Sequence, residues 1–206
     1  MKIAVVSEVS ARHRNGDLIS ALDGFGFNIA NIGMTEGEYA TELTYIHTGF
    51  MAGALLNAGV ADMVIGGCGT GQGFLNSAMQ YPNVFCGLIL EPLDAFLFSR
   101  INAGNCVSLA LNKGYGWAGE LNLRYMFEKL FSDASGGGYP PERRESQRRS
   151  RIVLQEISKA AHKSFDEILK CLDKEIIQTV LSHEPFCEYL AKGNRAFLDR
   201  LLEAGR

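Results

Sequence analysis

Along the first 131 residues, short apolar runs alternate with segments of helical spacing. Residues 1–7 (MKIAVVS) are a β-branched apolar run that predicts a first strand. Asn15–Leu22 (NGDLISAL) sets Leu18, Ile19 and Leu22 on one stripe, the spacing of a helix face, and Gly24 and Gly26 close it. Residues 27–33 (FNIANIG) predict a second strand and residues 35–41 a polar loop. Residues 43–59 mix large and small apolar side chains over several turns, which predicts a helix packed closely on a sheet. Residues 61–67 (ADMVIGG) predict a third strand, residues 74–80 a short helix and residues 83–90 (NVFCGLIL) a fourth strand. Pro92 stands where its fixed φ and missing N–H suit a helix start, and that helix runs to about Ile101. Residues 105–111 (NCVSLAL) predict a fifth strand, and residues 115–131 a long amphipathic helix.

Strands alternating with helices imply a parallel sheet covered on both faces, a three-layer α/β fold of Rossmann-like kind. The unbroken apolar character of strands three to five agrees, since such strands are buried on both sides. Short loops then collect at the carboxyl edge of the sheet, where open α/β folds bind ligands. After Phe131 the pattern breaks. Residues 132–151 (SDASGGGYPPERRESQRRSR) are loop chemistry, and residues 152–206 are helical in pattern, two or three helices with Pro185 as their only proline. The expected organisation is an α/β domain over residues 1–150 and a helical extension over residues 151–206.

Composition narrows the function classes. With 206 residues, 47% of them hydrophobic, the chain can bury a core and is not a disordered one. A net charge of −3 lacks the basic excess of a dedicated nucleic-acid binder. Five cysteines without CxxC spacing fit neither a disulfide framework nor a zinc knuckle, so reduced thiols and a cytoplasmic compartment are expected. Residues 63–90 carry no charge, but Gln72, Asn76, Gln80 and the Tyr81-Pro82-Asn83 turn interrupt them, so no membrane span is expected there. Nor does the opening run resemble a secretory leader, because Ser7 and Glu8 cut it short.

The densest chemical signal is Gly66-Gly67-Cys68-Gly69-Thr70-Gly71-Gln72-Gly73, between a strand and a helix. Glycines let a ligand approach the backbone, and the free N–H groups at a helix start favour a negative oxygen. The spacing is not a P-loop, because Gln72 stands where lysine is required, and GxGxxG fails from either Gly67 or Gly69. The place of the loop between strand and helix and Glu91, at the end of the next strand, are the only support for a nucleotide- or NAD-dependent enzyme. Cys68 lies inside the anion-favouring loop, where a thiolate could remove a proton from carbon beside a carbonyl while amides hold the enediolate oxygen. The bland alternative is a tight turn with an inert, buried cysteine.

GGCGTGQG between strand and helix resembles the core motif of the type B ribose-5-phosphate isomerases and their galactose-6-phosphate isomerase relatives. The resemblance covers about the first 150 residues. It includes the MKIAVV opening strand, EPxxA at 91–95, and INAGN at 101–105 against the family's HNxxN. It implies a five-stranded parallel sheet, no cofactor or metal, and a homodimer or tetramer whose active sites draw on two subunits. It implies Cys68 as catalytic base, Thr70 as its partner in proton handling or placement, and Asn102 as a ligand of the reacting oxygens. Gly69, Gly71, Gln72 and Gly73 become the substrate loop, and Tyr45 a pocket wall. Three departures stand out. The family's ring-opening histidine falls on Ile101, and its Asp-His pair falls near Glu8-Val9, leaving Glu8 and, from the enlarged loop, His13 as stand-ins. The serine and lysine the family carries after the loop fall near Leu75 and Gln80.

A phosphate would find no cation in residues 63–90. The resemblance points to arginines after the Gly136–Gly138 run, Arg143 first and Arg144 beside it, whose forked donors suit phosphate; a solvated charge run is the alternative. Elsewhere, His47 is expected to pack, Cys86 and Cys106 to lie in the core, and Tyr115, Trp117 and Phe127 to pack or face another subunit. His162 and His183 are expected at the surface. The function expected is isomerisation of a small phosphorylated sugar, aldose to ketose, through an enediolate. A non-catalytic sugar-phosphate binder of the same fold is the alternative.

Overall fold

The computed structural model describes residues 1–37 and 39–206; position 38 of the expected polar loop lies outside the described residues. Strand β1 (Lys2–Ser7) passes through a 3-10 turn (Val9–Arg14) into α1 (Asn15–Leu22), then β2 (Asn28–Asn31). Next come α2 (Tyr45–Asn57), β3 (Met63–Cys68), α3 (Gln72–Ala78) and β4 (Cys86–Ile89). Helix α4 (Pro92–Leu97) runs into a π turn (Phe98–Asn102), followed by β5 (Cys106–Ala110) and α5 (Gly119–Leu130). The sheet is five-stranded and parallel in the order β2-β1-β3-β5-β4, the α/β fold read from the sequence. On one face α1, α4 and α5 bury Leu18, Leu22, Ala95, Leu123 and Phe127 against Ile3, Val5, Ile65 and Val107. On the other, α2 and α3 bury Phe50, Leu55 and Phe74 against Ala4, Val6 and Val64. Among the described residues, no helix is long and apolar enough to cross a membrane.

Three expectations about elements need correction. Helix α5 starts at Gly119, not 115, because Gly114, Gly116 and Ala118 all hold positive φ and form a turn. The expected loop through residue 151 ends early. After a 3-10 turn (Pro141–Arg143), α6 covers Arg144–Ala161, since arginine, glutamate and glutamine are good helix formers despite their polarity. Arg148 and Arg149 also pair with Glu145 on its first turns. The extension then holds four helices rather than two or three: α6, α7 (Phe165–Leu169), α8 (Lys174–Leu181) and α9 (Glu184–Ala204). The extra breaks come from N-caps. The Ser164 side chain accepts from the Glu167 N–H in a capping box, and that of Asp173 accepts from the Glu175 N–H.

Side-chain placement brings further corrections. Cys106 is buried, but Cys86 is only half-buried because β4 is an edge strand. Trp117 is fully exposed, which overturns packing within this chain but not the other expectation, a face toward another subunit. His183 is buried, not superficial; its Nε2 donates to the Ile32 carbonyl at 3.0 Å beneath the chain leaving β2. His162 is half-exposed, as expected of a surface residue.

Burial holds His183 below the ordinary histidine value of 6.5, against the opposing pull of the Ile32 and Gly33 backbone. The folded protein therefore keeps this ring neutral while the unfolded chain protonates it first. The resulting stability is complete above pH 6.5 and is lost as the pH falls from there through the folded value. Melting curves across pH 5 to 8 are expected to show this decline, and His183→Gln to melt lower at pH 8 but with a flatter profile. Parallel profiles for the two proteins would remove His183 as the source.

Candidate functional site

The direction of winding reverses between β1 and β3, and the crevice at their carboxyl ends is where such sheets bind ligands. Ser7 pairs with Gly67 there, so β1 delivers Glu8 and Ser10 beside the loop that follows Cys68. Cys68 ends β3 at the rim of the core; it is 6% exposed, and its Sγ lies 3.9 Å from the Oγ1 of Thr70, an exposed residue. Gly71, at φ 76°, turns the chain into α3, a conformation strained for any other residue type. The turn is tied down by Gly71 N–H to the Cys68 carbonyl (3.3 Å), Gln72 N–H to Thr70 Oγ1 (3.3 Å) and Ser108 Oγ to the Gly71 carbonyl (2.5 Å).

The loop is also held from its flanks. The Gly69 N–H donates to Ser10 Oγ at 3.2 Å, and the Ser10 hydroxyl donates in turn to the Glu8 carboxylate. The Gly69 carbonyl accepts from the backbone N–H groups of Asn112 (3.1 Å) and Lys113 (2.8 Å), while Asn112 Nδ2 donates to the Ser10 carbonyl at 2.9 Å. Of the three glycine amides expected at the oxyanion, those of Gly69 and Gly71 are thus engaged internally. The Gly73 N–H has no acceptor among the described residues. The ring of Tyr45, the first residue of α2, covers Gly73 so closely that a Cβ at 73 would fall 2.9 Å from it.

His13 is exposed on the Val9–Arg14 turn, one helical turn past Ser10. His47 is a capping residue: its Nδ1 accepts from the Thr44 N–H at 3.0 Å, and burial lowers its pKa from 6.5 despite the nearby Glu175. Beyond β5, the Tyr115 hydroxyl donates to Asp17 at 2.6 Å; burial and this bond hold it above the usual tyrosine range. Lys113 and Tyr115 line a cleft of about 180 Å³ at this end of β5. Ser10, Asn112 and Lys113 were not singled out from the sequence, and no motif or spacing marks them.

Asn102, Arg143 and Arg144 lie elsewhere. Ala110 is the β5 residue opposite Cys68, whereas Asn102 precedes Cys106 at the other end of that strand, about 13 Å away by the rise per residue. Arg144 packs on Gly138, whose N–H donates to the Arg100 carbonyl at 2.9 Å, so these groups share the amino edge. Arg151 ties the same region together, donating to the Ile101 (2.8 Å) and Gly136 (3.2 Å) carbonyls, and lines a cleft of about 270 Å³ with Asn102. Arg143 and Arg144 are exposed. The residues around Cys68 and those around Asn102 therefore lie at opposite edges of the sheet within one chain.

The pattern of the Ribose/Galactose Isomerase family matches residues 3–138. The chain belongs to this family of sugar isomerases. A solved 4-deoxy-L-threo-5-hexosulose-uronate ketol-isomerase with bound tartrate is 40% identical, with 99% of each chain covered and a TM-score of 0.94. A ribose-5-phosphate isomerase from Vibrio parahaemolyticus is 43% identical over 99% of each chain, with a TM-score of 0.93. The type B ribose 5-phosphate isomerase from Trypanosoma cruzi shares the fold at 17% identity and TM-score 0.65; it is covered over 99% of its length by 78% of this chain. No curated protein matched. The helical extension is thus common to this family member and the two full-length relatives.

Proposed function

We propose that this family member is an aldose–ketose isomerase of a small, acidic, open-chain sugar, with Cys68 moving a proton between C1 and C2 through an enediolate. The observation that carries the reading is the loop at the switch point: Cys68 with the exposed Thr70 beside its sulfur and, at the start of α3, the unengaged Gly73 N–H. Position 101 supports the open-chain substrate, because isoleucine transfers no proton to a ring oxygen. A 4-deoxy-5-hexosulose uronate has no hydroxyl at C4 or C5 with which to close a five- or six-membered ring on C1. It therefore needs no ring opening, and the full-length relative named for it makes it the favoured substrate. A phosphorylated sugar is the second reading, supported by the relative named as a ribose-5-phosphate isomerase and by Arg143 and Arg144.

A second copy of the chain would complete the site, bringing Asn102 and the arginines of its amino edge to the Cys68 loop. Helix α6 supports a dimer. It buries only Ser158 and leaves Ile152, Val153, Leu154 and Ile157 exposed, an apolar stripe beside the Asn102 cleft. Five unpaired cysteines fit a reducing, cytoplasmic compartment.

The test is turnover followed by NMR with the hexosulose uronate and with ribose 5-phosphate. The uronate is expected to win by about a hundredfold or more in kcat/KM. The reverse order would replace it with the phosphorylated reading, and tight binding of either sugar without turnover would leave a binding protein.

A further inference from the structure

Isomerisation moves two protons. One leaves C2 and arrives at C1, which Cys68 handles in the reading above; the other must leave the C2 oxygen and reach the C1 oxygen. Ile101 carries no proton, His47 is engaged in its helix cap, His183 is bonded beneath β2, and His13, though exposed on the Val9–Arg14 turn, makes no hydrogen bond to the Cys68 loop among the described residues. The residues that are available sit on the β1 side. Glu8 is 3% exposed, yet among the described residues it has no cation within ion-pair distance. A carboxylate taken out of water without a counter-ion is costly and calls for a reason. Its partner is the Ser10 hydroxyl, which also accepts the Gly69 N–H at 3.2 Å. Gly69 is the residue after Cys68, so the hydroxyl stands against the catalytic loop. Ser10 itself is exposed, with Glu8 behind it. Asn112 fixes the Ser10 backbone from the far side through its 2.9 Å bond.

We propose that Ser10, backed by Glu8, is the second proton carrier of this site, passing the hydroxyl proton from one substrate oxygen to the other. The inference rests on the isomerase reading and adds residues to it. The Cys68 thiolate takes the C2 proton; the C2–H pair becomes the C1=C2 bond, and the carbonyl pair moves onto O1. The O2 proton passes to Ser10 Oγ as the Ser10 proton passes to the Glu8 carboxylate. The same path reversed delivers a proton to O1. The O2 pair then forms C2=O2, and the C1=C2 pair takes the proton back from the Cys68 thiol at C1. Nothing is oxidised or reduced overall, and both residues return to their starting states.

Removing the relay should leave carbon deprotonation in place and stall the step after it. The experiment incubates the full-length protein in D2O with the hexosulose uronate, with ribose 5-phosphate in a parallel arm. It measures isomer formed and deuterium gained at C2 of recovered substrate. For Ser10→Ala, isomer formation is expected to fall about a hundredfold or more, while deuterium gained per isomer formed rises, because the enediolate returns to substrate. Ser10→Thr, which keeps the hydroxyl, should recover most of the loss, and Glu8→Gln should match Ser10→Ala in both the isomer formed and the deuterium gained per isomer. Exchange and isomerisation falling together in Ser10→Ala, without rescue by threonine, would mean a merely structural support for Gly69 and would overturn the proposal. Native protein that neither exchanges nor isomerises either sugar would overturn the isomerase reading itself.

Discussion

Cys68→Ala is expected to abolish isomerisation and carbon–hydrogen exchange together, by at least about a thousandfold, with little change in fold. Among the described residues the sulfur's hydrogen-bond partner is Thr70, a hydroxyl that is itself a poor base, so it is the sulfur that can accept a proton at the end of β3. Stability should hardly move. Cys68 lies at the rim of the core, so losing one sulfur removes little buried volume. The measurement is deuterium wash-in beside melting temperature, and exchange at the native rate would end the assignment of Cys68. A mixing experiment extends it to Asn102. If each site takes Cys68 from one copy and Asn102 from another, inactive Cys68→Ala and Asn102→Ala proteins mixed after dissociation should recover about a quarter of native activity. Half the dimers would be mixed, and each would hold one intact site under two-fold symmetry. No recovery would place the whole site within one chain.

The fold was legible because its signals are local. Each strand was a short apolar run, and each sheet helix carried a stripe or an identifiable start such as Pro92. The misjudged boundaries have local causes as well. Polarity makes residues 144–151 read as a loop although those residues favour helix, and the pattern around Tyr115 and Trp117 reads as helix although Gly114 and Gly116 turn the chain there. The loop around Cys68 was legible as chemistry, since glycines between a strand and a helix have few other uses. What supports that loop was not. Ser10 meets Gly69 across 59 positions, and Asn112 meets Ser10 across 102. Such pairings are set by sheet order, and no spacing in a single sequence encodes it. His183 was misplaced for the same reason: its partner, Ile32, is 151 positions away and belongs to the opposite end of the chain.

Deleting residues 162–206, and with them α7, α8 and α9, is expected to leave a chain that does not fold cooperatively. These helices are not an appendage in packing terms. Phe165, Leu169, Ile177, Val180, Phe186, Leu190, Phe197, Leu198 and Leu201 join the same buried cluster as Phe50, Leu55 and Tyr81 of the sheet region. The ring of Phe165 stacks on Phe50, with centroids 5.9 Å apart, and leans on Tyr81. Tyr189 and Asn194 donate to the carbonyls of Val60 (2.9 Å) and Ala58 (3.0 Å), closing the turn between α2 and β3. At about 1.5–3 kcal/mol for each buried large apolar side chain, the lost burial matches or exceeds the about 5–15 kcal/mol by which domains of this kind are stable. The truncated chain would also bare the apolar surface of α2. Shorter members of the fold stand without such a segment, because three quarters of this chain covers them almost whole. The α/β architecture alone therefore does not demand it; the large apolar residues that this sequence places on α2 do. Circular dichroism and thermal melting of residues 1–161 decide the matter: a sharp transition within a few degrees of the full-length protein would show that the sheet region carries its own stability.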